Sequence, residues 1–206
     1  MRRELVIALR VTIVTLVGTG LVYPLVMTGL AQVLFPGRAN GSLVRDNTGK
    51  VVGSELIGQA FASPGYLQGR PSAAGNGYDP TASSGSNLGP TSKKLRDRVV
   101  ADVERLRKEN PEAPLPVPAD LVTASASGLD PDLSPAAALW QAPRIARARQ
   151  VTPDRVAEVI RSRVEGRDFG VFGEPRVNVL VINLALDQQF GKLAPAPSGV
   201  APSAVK

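Results

Sequence analysis

Four aspartates and one short run of hydroxyls and amines hold most of the reactive potential of this chain. Asp79 and Asp130 each precede a proline, Asp120 and Asp132 lie close to the second of these pairs, and Thr91-Ser92-Lys93-Lys94 sets hydroxyls beside lysines. Grouped carboxylates can raise the local cation concentration, and a serine with a lysine as its base can attack a carbonyl. The 206 residues contain no histidine and no cysteine. That excludes imidazole acid–base catalysis, Ser-His-Asp and Cys-His nucleophiles, zinc sites built on thiolate or imidazole, and any disulfide. Phosphoryl transfer lacks its parts too, because neither Asp-Lys-Thr-Gly nor Gly-x4-Gly-Lys-[Ser/Thr] occurs. No Ser-x-x-Lys stands in the segment around residues 91 to 94. A signal-anchored extracytoplasmic enzyme of the serine/lysine type is therefore the alternative to a non-catalytic reading.

These residues need elements to position them, and the first element is in the membrane. Residues 11 to 37 (VTIVTLVGTGLVYPLVMTGLAQVLFPG) are 27 positions without a charged side chain. As a helix they reach about 40 Å, against a hydrocarbon core of roughly 30 Å. A cleaved signal peptide is the competing reading, with Gly29-Leu30-Ala31 as the cleavage site, but its apolar stretch is usually only about 7 to 15 residues. The chain thus divides into a tail (1–10), a transmembrane helix (11–35), a single α+β domain (36–191) and a disordered Pro/Ala-rich tail (192–206). Basic residues flank both ends of the span. The short tail and long following domain favour a cytoplasmic N-terminus and an extracytoplasmic domain. Within the span, Thr12, Thr15, Gly18 and Thr19 share one face of a uniform helix, opposite Leu21, a pattern that permits close helix packing.

The domain reads as a small mixed sheet with about three helices. Two short β-branched runs flank Asn47-Thr48-Gly49 as a hairpin. Leu95, Val99, Val103 and Leu106 mark a helix from Ser92 to Glu109. "DLVTAS" (120–125) reads as a buried strand. Ser134-Pro135 opens a helix through Arg149, broken near Pro143. Thr152-Pro153 opens another, with Val156, Val159, Ile160 and Val164 as its core stripe and Gly166 as its stop. "RVNVLVI" (176–182) alternates as a strand does. Arg144, Arg147 and Arg149 read as a solvated helix face. A net charge of +6 invites a nucleic-acid partner, but 4% aromatic residues offer little stacking surface, and a membrane anchor argues against one.

The stretch "GYDPTASSGSNLGPTSKKL" (77–95) offers little to a core, so it is either a solvated loop or a surface built to be read. Asp79-Pro80 and Asp130-Pro131 are turn formers in the first instance. Arg70-Pro71-Ser72 reads as an extended corner rather than an anion site. Ser86, Asn87 and Thr91 either satisfy the loop backbone and cap the next helix or meet a partner.

Two segments decide more. "RPSAAGNGYDPTASSGSNLGPTSKKL" (70–95) and "DLVTASASGLDPDLSPAAALWQAPRIARAR" (120–149) resemble the signature segments of KdpC, the C chain of the bacterial high-affinity potassium-transporting Kdp ATPase. "GSELIGQAF" (53–61) and "VNVLVINLALDQ" (177–188) fit the same pattern, in the same order, from the membrane span to about Gly191; the Pro/Ala tail does not belong to it. The resemblance implies a single-pass accessory subunit of the bacterial inner membrane, assembled with a channel-like potassium-binding subunit and a P-type ATPase subunit. It implies partner contacts at Arg70, Ser86, Asn87, Leu88, Thr91, Asp120 and Asp130, with the acidic residues near an external channel mouth. It assigns no catalytic residue, no metal and no cofactor of the chain's own. The family has also been linked to raising the ATPase subunit's ATP affinity as a catalytic chaperone. On this chain that role maps to Ser84, Gly85, Ser86, Asn87 and Gly89 of a loop loosely like an ABC-transporter signature, and to Gln141. A domain outside the membrane cannot touch cytosolic ATP, so assembly and gating of potassium entry stand ahead of it.

Overall fold

A computed structural model describes residues 1–46 and 48–193. Asn47 of the expected hairpin turn and most of the Pro/Ala tail lie outside the described residues. The chain divides into two compact units, Met1–Val44 and Arg45–Lys206.

The first unit is dominated by α1 (Arg2–Val17) and α2 (Tyr23–Leu34), joined through a π-helical turn at Gly18–Val22. Together they make a 33-residue helix, the one helix among the described residues that is long and apolar enough to cross a membrane. A one-turn α3 (Pro36–Ala39) follows. The π-turn has an identifiable cause in Pro24, which has no N–H to give and whose ring would clash with the Gly20 carbonyl of a regular helix. The backbone widens ahead of it, and the Tyr23 N–H reaches five residues back to the Gly18 carbonyl. A uniform helix puts Leu21 opposite Thr12. The wider turn breaks that phase, so the two sides of the helix are not related in that simple way. Thr15 and Thr19 donate their hydroxyls to the carbonyls of Val11 (2.8 Å) and Thr15 (2.7 Å). With no water in a hydrocarbon core, a hydroxyl must find its acceptor on protein, and these find it on their own helix.

Among the described residues the expected single mixed sheet is replaced by two separate two-stranded sheets, one of β1 (Leu43–Arg45) and β2 (Val51–Ser54), the other of β3 (Asp132–Leu133) and β4 (Val177–Asn178). Among the described residues of the second unit five α-helices stand where the sequence predicts about three: α4 (Lys93–Glu109), α5 (Pro135–Trp140), α6 (Ala142–Arg149), α7 (Pro153–Arg161) and α8 (Val179–Phe190). The hairpin turn is closed by Asp46, whose carboxylate accepts from the Thr48 N–H (2.9 Å) and hydroxyl (2.6 Å) and the Lys50 N–H (3.1 Å).

Three further expectations fail for local physical reasons. Residues 177 and 178 do pair, antiparallel to Leu133 and Asp132, but a helix begins at Val179. Asn178 caps it by accepting the Val181 N–H at 3.2 Å. A segment buried on most sides, as this one is, loses the periodicity that separates strand from helix. "DLVTAS" forms a 3-10 turn at Ala119–Leu121 and then irregular chain, with Leu121 and Val122 buried without strand partners. Finally, α7 ends at Arg161, so Gly166 is not its stop and Val164 stands 37% exposed.

The caps at Ser92 and Ser134 form as read, accepting from Leu95 N–H (3.4 Å) and Ala137 N–H (3.2 Å). The chain bends between α5 and α6 at Gln141, just before Pro143. The core collects Leu67, Ile145, Val156, Ile160, Ile182 and Leu186, so one loop residue, Leu67, is buried with α6, α7 and α8.

Candidate functional site

Leu67 follows a turn at residues 64–65 in a loop, 64–72, that has no strand neighbour, and the loop's backbone groups therefore need side chains as partners. Two buried amides supply them in bracket fashion. Asn183 on α8 accepts the Leu67 N–H (2.7 Å) and donates to the Leu67 carbonyl (2.9 Å). Gln141 accepts the Gln68 N–H (3.0 Å) and donates to the Gln68 carbonyl (2.9 Å). Two arginines finish the accounting, and they correct the solvated-face expectation for this cluster. Arg144 is 4% exposed and donates to the carbonyls of Pro64 (2.5 Å) and Tyr66 (3.1 Å). Burial holds its guanidinium down, to about 10. Arg149, 9% exposed, donates to Gly65 (2.7 Å), Leu186 (3.2 Å) and Gly191 (2.9 Å) and pairs with Asp187 (2.8 Å). Only Arg147 of the three is exposed as expected.

From this fixed segment the first signature loop turns back on the second. Arg70 pairs with Asp130 at 3.0 Å across 60 residues of sequence. Ser72, buried, donates its hydroxyl to the Gly128 carbonyl (2.6 Å) and accepts from the N–H groups of Ala74 (3.2 Å) and Tyr78 (2.7 Å). The Tyr78 phenol donates to the Arg70 carbonyl (2.5 Å). Burial, aided by the Asp130 charge, pushes that phenol up to about 12. The Ser84 N–H donates to the Ser127 carbonyl at 2.9 Å. Two glycines allow the backbones to touch: a Cβ on Gly85 would lie 2.7 Å from the Ala126 carbonyl oxygen, and one on Gly128 would lie 2.6 Å from both the Ala74 nitrogen and the Ser84 oxygen. The two loops are one latched unit.

The sequence-derived residues fall into three places. Arg70 and Asp130 are the latch itself. Asp120 accepts the Ser134 N–H (3.0 Å) at the start of α5, and Asp130 also accepts the Asp132 N–H (3.1 Å). Asp79 closes its own turn onto Thr81. Asp132 faces Arg176 at 3.5 Å, and burial together with Asp130 raises its carboxyl above the ordinary range. These aspartates are largely compensated by turns and cations, which weakens the field they could project outward. Ser86 and Leu88 are partly buried, while Asn87, Gly89 and Thr91 are exposed on a ridge beyond the latch. Asn87 takes a left-handed φ of 50°, which asparagine tolerates better than most residues.

Gln141 does not join that ridge. It lines a cavity of about 230 Å³ shared with Phe61, Arg70, Tyr78 and Arg105, which residues 84–89 do not reach. Its amide is spent on Gln68 and on Arg144 (2.6 Å). The sequence reading gives Ser72 only a place in an extended corner and Arg149 a place on a solvated face, and it does not single out Tyr78, Gly128 or Asn183. Gly128, inside Ser-Ala-Ser-Gly, carried the one local signal, since its φ of +70° is a glycine conformation.

Residues 5–188 match the family described as KdpC: K+-transporting ATPase, c chain. A protein of Myxococcus xanthus named potassium-transporting ATPase KdpC subunit is 66% identical over 193 residues, covering 94% of this chain and 92% of its own length. Proteins of the same name from Methylobacterium nodulans and Caulobacter vibrioides are 55% and 56% identical, covering 93% and 87% of this chain and 98% and 90% of their own lengths.

Proposed function

The chain belongs to the KdpC family, the c chain of K+-transporting ATPases, and from that premise we propose that it is a non-catalytic accessory subunit that reads its partners through the latched loops. The observation that carries this is the latch. A polar ridge with little core to offer is nonetheless held by an ion pair, a buried serine and two close backbone approaches. Holding exposed groups in one geometry before contact reduces the ordering cost of binding. In this reading Ser86, Asn87, Leu88 and Thr91 meet the partner, while Arg70 and Asp130 keep the ridge in place and Asp120 holds the start of α5. The partners are a channel-like potassium-binding subunit and a P-type ATPase subunit.

Replacing Asn87 with Gly and Thr91 with Ala tests this cleanly, because Gly keeps the left-handed backbone while removing the side chain. The expected result is a several-fold drop in co-purification with the other transporter subunits after mild detergent extraction, with the unfolding midpoint within about 2 °C of the parent, as for a surface change of at most about 0.5 kcal/mol. An equal loss of stability and assembly would return the ridge to a structural role.

Nucleotide contact through Ser84–Gly89 and Gln141 is not favoured, since the Gln141 amide is already committed. The serine/lysine enzyme fares no better, because the Ser92 hydroxyl serves as a helix cap. A long domain after the span translocates largely regardless of its charge, which supports an extracytoplasmic domain. The chain has no cysteine, so Lys50→Cys makes a single label at an exposed site. It is expected to react with a membrane-impermeant thiol reagent in intact cells; protection until lysis would reverse the orientation.

A further inference from the structure

Every residue from Arg161 to Pro175 is exposed, which sets this stretch apart from the packed helices on either side. It is nonetheless ordered as a hairpin arm. Glu165 and Arg176 exchange backbone hydrogen bonds (2.8 and 3.0 Å), and so do Asp168 and Phe172 (2.8 and 2.9 Å). Arg176 roots the arm, lying 3.0 Å from Glu165, 3.8 Å from Asp168 and 3.5 Å from Asp132, while Arg167 and Glu174 pair across it at 2.7 Å.

The tip is apolar. Phe169 is 96% exposed, Val171 69% and Phe172 68%. Phe169 also sits at a φ of 53°, a turn position that glycine, asparagine or aspartate would fill at less cost. An exposed aromatic held in a strained conformation is unfavourable twice over in the free chain, and a bound state that buries it would offset both costs.

The arm's chemistry favours one kind of occupant. Arg161, Arg163, Arg167 and Arg176 share the arm with Glu165, Asp168 and Glu174. A bilayer-docking element favours a basic face, whereas an apolar centre with a rim of both signs is the make-up of a protein interface. Two copies meeting tip to tip would bury only three side chains each, far below the roughly 800 Å² per partner of a stable contact. A socket in a larger protein can surround the arm on all sides. We infer that the 161–176 arm inserts its Phe169, Val171 and Phe172 tip into an apolar socket, rimmed by both charge signs, on another subunit of the transporter. This rests on the accessory-subunit reading and adds an anchor separate from the latched ridge.

The test uses the assembled complex with the double variant Phe169→Asn and Phe172→Thr. Asn suits the left-handed turn and Thr suits a strand, so the hairpin is kept while its apolar tip is lost. Recovery of the other subunits with the tagged chain is expected to fall about ten-fold or more, as for loss of an aromatic anchor, with membrane-inserted chain and unfolding midpoint unchanged. Recovery equal to the parent's would overturn the inference. Should the parent itself fail to bring down the other subunits, the accessory reading fails and this inference with it. Two measurements on purified chain separate the other occupants: a blue shift of Phe169→Trp fluorescence with protein-free vesicles would assign the tip to lipid, and self-crosslinking through residue 169 would assign it to a second copy. Either result would overturn the socket.

Discussion

Arg149→Met is expected to destabilise the domain by about 3 to 5 kcal/mol, the usual cost of leaving the other half of a buried ion pair behind. The expected loss is large because one guanidinium serves four acceptors. Without it the carbonyls of Gly65, Leu186 and Gly191 and the Asp187 carboxylate all lose a donor in a poorly hydrated site. The Tyr66 ring loses a cation 4.9 Å from its centre, although Tyr66 keeps its own hydrogen bond to Asp187 (2.9 Å). Arg149→Lys should recover only part of the loss, because an ammonium preserves the charge but not the planar fork that joins α6 to α8 and to the turn at Gly65. For a chain of this size the midpoint for Met should fall by roughly 10 °C, at about 2 to 4 °C per kcal/mol. Thermal unfolding of the full chain in mild detergent reads this directly. A shift under about 2 °C would mean that Arg149 is solvated after all.

The second large effect belongs to the latch. Gly128→Ala should cost about 2 to 5 kcal/mol, combining a penalty of about 1 to 2 for a side chain at positive φ with about 1 to 3 for overpacking. The contacts it would violate are backbone atoms, the Ala74 nitrogen and the Ser84 oxygen, each 2.6 Å from the new methyl carbon. Neither can turn aside as a side-chain end could. The loops must separate, which strains the Ser72 hydrogen bond to the Gly128 carbonyl and the Ser84 contact with Ser127. Unlike the Asn87→Gly and Thr91→Ala pair, Gly128→Ala should lower stability and subunit recovery together. Proteolysis gives an independent readout, with new cleavage expected within residues 73–91. An unchanged digestion pattern and midpoint would show that the loops are not latched through Gly128.

Features carried by neighbouring residues were legible from the sequence. A charge-free run of 27 residues has few alternatives to a long apolar helix, and Ser92 and Ser134-Pro135 announce helix starts because a cap acts within three residues. Four motifs in order pointed to the family. Arg70 and Asp130 could both be singled out, but their pairing spans 60 positions and no local pattern encodes it. Pro24 was visible, yet the π-turn it produces emerges only when the backbone must satisfy its carbonyls without the missing N–H. The apolar run at 177–182 fits strand or helix until Asn178 is seen capping one and pairing in the other. The tertiary structure alone decided the fate of the arginines. By composition Arg144 and Arg149 belong at the surface, but the turn at 64–66 has no strand partner, and its carbonyls, about 80 positions earlier in the chain, draw both guanidinium groups into the interior.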